Sequence, residues 1–219
     1  QQPVHEPGHQ VVGALTLVAV AAHLGALGGA SGTALVAGTG AVAMGISPDG
    51  ETTIVDGRGP ELGDLGSGAW IGRAGLDAAV RARDGADTGT ATSMGSALDE
   101  GRAPTGSRQQ WLDAGGNLGG RLGEFAPTVI RHAELGDPIA AAIIAEAVRL
   151  LTATSLAAGT GPVSVLGGLV ADEWFRHQLI PSIERAGLEP ITPLGTALDG
   201  ARIAAVAEHL PHERHFHRA

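Results

Sequence analysis

Three short apolar runs lie close together near the centre of the chain, at residues 34–37, 41–46 and 51–55. Polar, glycine-rich turns separate them, Gly38-Thr39-Gly40 after the first run and Ser47-Pro48-Asp49-Gly50 after the second. Short apolar runs bounded by Gly-x-Gly or Asp-Gly turns are typical of neighbouring antiparallel strands. The pattern therefore predicts a three-stranded antiparallel meander. Glycines in such turns also allow backbone N–H groups to approach an anion closely.

A glycine-dense loop follows at residues 56–68, and after it the spacing of apolar residues changes to that of helices. Apolar residues then recur every three or four positions, which is the period of one face of an α-helix. Asp137-Pro138 is a typical helix start, because Asp caps the free amides and Pro fits the first turn. The predicted helices span residues 70–83, 122–134 (with Pro127 near the start) and 137–156, with a loop or a short helix at 87–106.

The last third of the chain alternates between strands and helices. Residues 162–166 are predicted as a short strand that ends at Gly167-Gly168, and residues 189–191 as a second strand. Helices are predicted after each strand, at 171–186 and 197–210. This order is typical of parallel α/β units. The whole pattern predicts an α/β fold in which a mixed sheet combines the meander with parallel strands and is flanked by helices.

The N-terminal part of the chain shows no such alternation. Residues 1–10 carry no periodicity and are predicted as a loop or a frayed end. Residues 11–30 are apolar or small except for Thr16 and His23, and their length is near that of a membrane span. Their glycines and the lack of a charged flank favour a buried helix at residues 13–27 instead.

Charge and cysteine content restrict the function further. The net charge is −9 and all 14 basic residues are arginines without a basic patch, so we expect no nucleic-acid partner. No run of like charges indicates a membrane surface. The chain contains no cysteine, which excludes disulfides, thiolate metal sites and cysteine-bound iron–sulfur clusters within it. A reducing cytoplasm is the expected location.

Four segments resemble those of one known family, the N-acetylglucosamine kinase and BadF-type ATPase family of the actin-like superfamily. Residues 35–40 (LVAGTG) resemble its second phosphate loop. Residues 57–72 (GRGPELGDLGSGAWIG) resemble its sugar-binding segment with Gly-Asp-x-Gly-Ser. Residues 163–168 (VSVLGG) and 195–205 (GTALDGARIAA) resemble its adenosine-side strand and its closing helix.

The resemblance implies both a fold and an activity. Residues 33–219 would form the second, C-terminal lobe of an actin-like (ribonuclease H-like) ATPase, and residues 1–32 a remnant of the first lobe or a hinge helix. The implied reaction is ATP-dependent phosphorylation of glucosamine or N-acetylglucosamine at the 6-hydroxyl, with Mg²⁺, in a homodimer whose lobes close on a hinge. The implied site residues are Gly38, Thr39 and Gly40 for the phosphate, Gly59, Gly63 and Asp64 for the sugar, and Gly167, Gly168, Gly195 and Gly200 for the nucleotide.

The chain also departs from the family pattern. It contains no Asp-Gly-Gly-Gly-Thr phosphate loop of a first lobe. The family's catalytic aspartate would fall near Leu17 and Val18, where no acid occurs, so the sequence identifies neither a general base nor a metal ligand. Arg58 replaces a usual tryptophan and Leu65 a usual acid. The chain is therefore either an incomplete record of a kinase or a non-catalytic sugar- or nucleotide-binding module derived from one.

Structural alternatives stay open for the site residues. Gly38-Thr39-Gly40 would also suit a plain hairpin turn, and Gly167-Gly168 would suit a strand-to-helix turn. Asp64 or Ser67 could cap the helix that starts near residue 69, and Ser67 is the better candidate. A dehydratase-activating ATPase of the same family would need cysteines for an iron–sulfur cluster, which this chain lacks.

The remaining charged residues are predicted to have structural or incidental roles. Four histidines cluster in the C-terminal tail at a spacing that could bind a divalent metal, but no carboxylate supports them, so a solvated tail is the prediction. These histidines are His209, His212, His215 and His217. The acids expected at the surface or as helix caps are Glu124, Asp137 and Asp172.

Overall fold

The computed structural model describes residues 7–86, 91–99, 117–207, 210 and 212, and only the backbone of residues 7–15. The helices are α1 (Pro7–Leu27), α2 (Gly68–Arg83), α3 (Met94–Ala97), α4 (Leu118–Glu134), α5 (Pro138–Ala158), α6 (Glu173–Arg185) and α7 (Ala197–Val206). The strands are β1 (Gly32–Ala37), β2 (Ala41–Ile46), β3 (Thr52–Asp56), β4 (Pro162–Leu166) and β5 (Glu189–Ile191), and a 3-10 helix spans Gly168–Ala171. Helix α3 lies in the predicted loop or short helix at 87–106, of which 87–90 and 100–106 fall outside the described residues.

The five strands form one mixed sheet in the order β3-β2-β1-β4-β5. Strand β2 pairs antiparallel with β1 and β3, whereas β4 pairs parallel with β1 and β5. The first hairpin pairs Ala37 with Ala41, so Gly38-Thr39-Gly40 forms its turn. The predicted α/β fold, with a mixed sheet that joins an antiparallel meander to parallel strands, is therefore confirmed.

Both faces of the sheet are covered by helices. Leu35 of β1 and Ala43 of β2 face the larger core, which α5 covers, while Val42 and Met44 of β2 face α1. Successive residues of a strand point to opposite faces, so every residue of β2 is buried on one side or the other. This burial explains why β2 reads as a continuous apolar run rather than as an alternation.

Helix α5 lies within the larger core. It contacts β1, β2 and β3 and also α2, α4 and α6. Asp137 caps it by accepting the N–H groups of Ile139 and Ala140, each at 3.0 Å, as its sequence predicts. Helix α5 is long and apolar enough to cross a membrane by length and composition. Its position between the sheet and three helices accounts for that composition without a membrane.

Helices α1 and α7 pack closely on the other face of the sheet. A Cβ on Gly25 would overlap the carbonyl oxygen of Thr196, and a Cβ on Gly200 would overlap that of Ala21. Two glycines therefore bring the two helix backbones into direct contact. Helix α1 also contacts β1 and β2. The division of the chain at residue 33 into a remnant and a second lobe stays a prediction.

Helices α1 and α4 begin at least four residues earlier than the pattern predicted. Helix α1 begins at Pro7, so the predicted loop or frayed end is wrong for residues 7–10. Helix α4 begins at Leu118, after the Asn117 cap, which places Pro127 inside the helix instead of near its start. Proline in a helix interior removes a hydrogen bond and costs about 3 kcal/mol. Buried apolar residues recur along all of α4, and their packing offsets that cost.

The C-terminal tail is not solvated throughout. His212 is buried, and its Nε2 lies 3.0 Å from Nδ1 of His23 on α1. Nε2 of His23 lies 3.1 Å from the carbonyl oxygen of Gly32, and burial lowers the pKa of His23. The predicted solvated tail is therefore wrong at His212, because a polar partner far away in the chain receives its side chain. The other tail histidines, His209, His215 and His217, lie outside the described residues.

Candidate functional site

The turn between β1 and β2 is held in place by the start of α2. Within the turn, the N–H of Gly38 donates to the carbonyl oxygen of Gly40 over 2.9 Å. The carbonyl oxygens of Gly38 and Thr39 accept the N–H groups of Gly68 and Ala69 at 2.8 and 3.0 Å. The first amides of a helix have no partner within the helix, so these bonds satisfy both partners. The turn is thus anchored to α2, which a plain hairpin turn would not require.

Ser67 starts α2 as a helix cap. Its backbone is extended, and its Oγ accepts the N–H of Trp70 at 3.2 Å. The prediction that Ser67 is the better cap agrees with this bond. Asp64 does not cap the helix, and its carboxylate is directed to the turn instead.

Asp64 lies directly against the turn. It is only 7% exposed, and a Cβ on Gly40 would lie 2.9 Å from its Oδ2. The backbone N–H groups of Ala41 and Gly59 lie close enough to the carboxylate to act on its pKa. Oδ1 of Asp64 is buried and has no hydrogen-bond partner among the described residues. A buried acceptor without a partner costs free energy, so this oxygen is suited to accept a hydrogen bond from a ligand.

The electrostatic surroundings of Asp64 oppose its charge. Burial raises the pKa of Asp64, and the nearby negative charges of Asp56 and Glu61 raise it further. The N–H groups of Ala41 and Gly59 act in the opposite direction without reversing the shift. Groups whose pKa is displaced by burial and by a like charge are enriched at functional sites.

Asp56, which the sequence pattern did not single out, orients this loop. Its Oδ1 accepts the N–H of Asp64 at 2.6 Å, and its Oδ2 accepts the N–H of Leu65 at 2.7 Å. Asp56 and Asp64 both have a left-handed backbone, with φ of 68° and 53°. Among residues other than glycine, Asp and Asn tolerate this conformation best. The signal in the sequence is the Asp-Gly pair that ends β3.

The two glycines assigned to the sugar have separate structural reasons. A Cβ on Gly63 would lie 2.5 Å from Oδ1 of Asp56, so glycine there makes room for a carboxylate. Gly59 has a left-handed φ of 82°, and its carbonyl oxygen accepts the N–H of Gly63 at 2.8 Å. Glycine at 59 therefore permits the turn itself. A contact of either glycine with a sugar stays a prediction.

The glycines assigned to the nucleotide fall into two groups. A Cβ on Gly38 would lie 3.7 Å from the amide nitrogen of Gly168, because β1 and β4 are parallel and end side by side. Ligands of α/β proteins usually bind at this edge of the sheet. Gly195 lies instead beside Asp199 in the capping box of α7, and Gly200 packs against α1. The structure thus brings Gly168 to the turn and gives Gly200 a packing role.

Helix α4 forms a wall of the site that the sequence did not predict. A Cβ on Gly123 would lie 3.1 Å from Cγ2 of Thr39, and a Cβ on Gly119 would lie 3.3 Å from Cγ of Pro60. The two glycines are four residues apart and share one helix face. That spacing is the available signal, although a glycine-rich stretch otherwise indicates a loop.

A groove of about 990 Å³ borders the same loop on α2 and α4. Gly63, Leu65 and Trp70 are among its lining residues. Neither Asp64 nor Thr39 lines it, as far as the described residues show. We therefore treat the groove and the Asp64 site as distinct features.

Comparisons with known proteins agree with the fold. The sequence model of the BadF/BadG/BcrA/BcrD ATPase family matches residues 10–201. The chain is similar to the structure of a candidate N-acetylglucosamine kinase from Chromobacterium violaceum, with a TM-score of 0.69 and 28% identity over 84% of this chain and 62% of that one. A second such structure, from Porphyromonas gingivalis, has a TM-score of 0.66, the same coverage and 18% identity, which shows the fold alone. No curated protein matched. The chain thus spans less than two thirds of the length of both structures.

Proposed function

Because the chain belongs to the BadF/BadG/BcrA/BcrD ATPase family, we propose that it acts as an ATP-dependent kinase of an amino sugar. The proposed substrate is glucosamine or N-acetylglucosamine, phosphorylated at the 6-hydroxyl. The family supports ATP as the phosphoryl donor, and 28% identity to a candidate N-acetylglucosamine kinase supports the class of sugar. The actin-like fold of the neighbours fits the mixed sheet and its flanking helices.

One observation carries the proposal: the Gly38–Gly40 turn, the carboxylate of Asp64 and Gly168 meet at one edge of the sheet. A phosphate group requires backbone that no side chain covers, and a hexose requires an acceptor for its hydroxyl groups. The turn meets the first requirement and Asp64 meets the second, and the two lie against each other. Transfer of a phosphoryl group depends mainly on such positioning.

The turn is the proposed site for the phosphates of ATP. When bound, ATP would supply the γ-phosphoryl group that is transferred. Gly38 leaves the backbone open, Gly40 completes the turn beside Asp64, and the hydroxyl of the exposed Thr39 would donate to a phosphate oxygen. We assign Gly167 and Gly168 to the nucleotide, with Gly195 and Gly200 further away. The described residues contain no group of three His, Cys, Asp or Glu that could hold a metal. Mg²⁺ would therefore be bound largely by phosphates and water, as is usual in kinases.

Asp64 is the proposed sugar ligand. A sugar hydroxyl that donates to its Oδ1 would give this buried oxygen the partner that it lacks in the described structure. Gly59 and Gly63 flank it in the same loop, which we propose contacts the ring. The loop must open slightly to admit the hydroxyl, since Asp64 is only 7% exposed.

A second candidate function is a non-catalytic sugar- or nucleotide-binding module. The observation that favours it concerns α1, where Leu17 and Val18 are 51% and 47% exposed and no acid occurs between residues 7 and 27. A general base for the sugar hydroxyl is therefore not supplied by this helix. A dehydratase activator would need thiolates that this chain does not contain.

Two measurements on the same protein distinguish the candidates. Coupled ADP release is measured with glucosamine, N-acetylglucosamine and glucose, and calorimetry measures binding of each sugar and of ATP. ADP release with an amino sugar supports the kinase, and binding without turnover supports the module. Absence of binding for every sugar and for ATP would contradict both. Homodimer formation and a cytoplasmic location belong to the same proposal, and light scattering tests the first.

A further inference from the structure

We propose that Asp56 is the positioning residue of this site, and that it holds the carboxylate of Asp64 against the Gly38–Gly40 turn. The inference rests on the proposed function, because it specifies how the phosphate turn and the sugar loop are kept in register. Asp56 is not among the residues that we propose to bind either ligand. Its effect is transmitted through the backbone of the loop.

The hydrogen bonds of Asp56 fix two successive residues. Each carboxylate oxygen accepts one N–H, from Asp64 at 2.6 Å and from Leu65 at 2.7 Å. Hydrogen bonds to an ionised carboxylate are about twice as strong as neutral ones, and a bidentate pair also fixes orientation. The backbone of Asp64 therefore has little freedom to rotate its side chain away from the turn.

The backbone conformation of Asp64 shows why such an anchor is needed. Its φ of 53° is left-handed, which is unfavourable for a residue with a Cβ. A residue in this conformation persists only when its surroundings impose it. The two bonds to Asp56 provide that constraint at the residue itself and at the next one.

Asp56 is fixed in turn by the strand that carries the phosphate turn. It pairs with Val42 at the end of the β2–β3 ladder. The N–H of the next residue, Gly57, donates to the carbonyl oxygen of Ala41 at 2.9 Å. Ala41 follows Gly40 directly, so the path from the turn through β2, Asp56 and Asp64 returns to the turn. A closed path of this kind keeps the two loops at a fixed distance.

The space for Asp56 is provided by the glycine that precedes Asp64. A Cβ on Gly63 would lie 2.5 Å from Oδ1 of Asp56 and 2.8 Å from Cβ of Arg58. The chain thus has glycine at the position where any side chain would displace the Asp56 carboxylate. This is an independent sign that the carboxylate must occupy this place.

The negative charge of Asp56 also affects the pKa of Asp64. Burial is the main cause of the raised pKa of Asp64, and the negative charge of Asp56 raises it further, more than that of Glu61 does. Removal of the charge of Asp56 lowers the pKa of Asp64, provided that Asp64 stays in place. The pKa of Asp64 therefore reports on Asp56 in a way that general stability does not.

The test compares Asp56→Asn and Asp56→Gly with a control, Asp49→Asn. Asn keeps an acceptor oxygen and tolerates a left-handed backbone, while Gly keeps only the backbone freedom. Asp49 is an exposed acid in the turn at the other end of β2. NMR measures hydrogen exchange of the Asp64 and Leu65 amides and the carboxyl pKa of Asp64, and calorimetry measures binding of N-acetylglucosamine.

We expect Asp56→Gly to accelerate exchange at both amides and to weaken sugar binding, each about tenfold or more, as loss of a charge-assisted hydrogen bond implies. Asp56→Asn should have smaller effects and a lower Asp64 pKa, and Asp49→Asn should match the unmodified protein. If Asp56→Gly does not fold, Asp56→Asn decides alone.

Failure of the inference and failure of the proposed function give different results. If the unmodified protein binds no sugar, the proposed function is contradicted, and the exchange rates and the Asp64 pKa alone then decide the role of Asp56. Unchanged exchange at Asp64 and Leu65 in both Asp56 variants would overturn the inference, whatever happens to binding. Weaker binding with unchanged exchange would overturn it as well.

Discussion

Asp64 and Asp137 are equally buried carboxylates, each 7% exposed, but their surroundings act on them in opposite directions. Burial raises the pKa of Asp64, and the charge of Asp56 adds to this effect. Burial would also raise the pKa of Asp137, but its hydrogen bonds together outweigh burial and lower it. The donors to Asp137 are the hydroxyl of Thr92, the hydroxyl and N–H of Ser93, and the N–H groups of Ile139 and Ala140.

The difference distinguishes a carboxylate that serves the fold from one that is suited to a ligand. Both oxygens of Asp137 accept hydrogen bonds, and they join the start of α5 to the segment before α3. Oδ1 of Asp64 accepts none among the described residues. The first arrangement stabilises the native state, and the second leaves free energy to be gained on binding.

The largest expected effect is the loss of stability in Asp137→Ala. The variant removes the cap of α5 and leaves the hydroxyls of Thr92 and Ser93 without their acceptor, so the free energy of unfolding should fall by about 3 kcal/mol. Urea unfolding measures it. The control is Asp172→Ala, which removes one cap bond, from the N–H of Phe175, and should cost about 1 kcal/mol. Equal losses in the two variants would contradict the comparison.

A smaller effect is expected for Gly40→Ala, which presses on Asp64 directly. The new Cβ would lie 2.9 Å from Oδ2 of Asp64, and overpacking of this kind costs about 2 kcal/mol. Binding of N-acetylglucosamine and ATP should weaken because the turn and the carboxylate separate. Gly38→Ala is the matched variant, since its Cβ would meet Gly168 at an ordinary 3.7 Å. The idea fails if Gly38→Ala destabilises the protein as much as Gly40→Ala.

Asp64→Asn should change stability least while it changes binding. The variant removes a buried charge that the protein tolerates poorly, so the free energy of unfolding at neutral pH should stay within about 1 kcal/mol or rise. Affinity for N-acetylglucosamine should fall about tenfold or more, because an acceptor oxygen becomes a donor group. Calorimetry and urea unfolding together measure both. A loss of stability comparable to that of Asp137→Ala would remove the distinction between the two acids.

The pH dependence of stability should separate the two acids by sign. The pKa of Asp137 is lowered from 3.8, so its contribution is complete above 3.8 and is lost as the pH falls below it. The pKa of Asp64 is raised from 3.8, so its contribution is complete below 3.8 and is lost as the pH rises above it. Urea unfolding at pH values below and above 3.8 measures the free energy of unfolding of Asp64→Asn, Asp137→Asn and the unmodified protein. The difference between each variant and the unmodified protein, plotted against pH, should have opposite slopes for the two variants. The same slope in both variants would contradict the assignment.

Local signals in the sequence were enough for much of the fold and part of the site. The cap at Asp137, the turn at Gly38-Thr39-Gly40 and the cap at Ser67 depend on neighbours within a few residues, and all three occur as the pattern predicts. The early start of α4 was missed because Gly119 and Gly120 indicate a loop, while long-range packing against α2 makes the segment helical. The burial of His212 was missed because its partner, His23, lies 189 residues away in the chain.

The sequence by itself determined the strands, their glycine-rich turns and the family resemblance, because periodicity, caps and turn chemistry act over short distances. Only the tertiary structure decided that Asp56 anchors the loop of Asp64, that Gly63 makes room for Asp56, and that Gly200 packs against α1. These roles depend on which segments the sheet order and helix packing bring within contact. No local pattern contains that information, because a glycine that a turn requires and a glycine that a neighbour requires look the same in sequence.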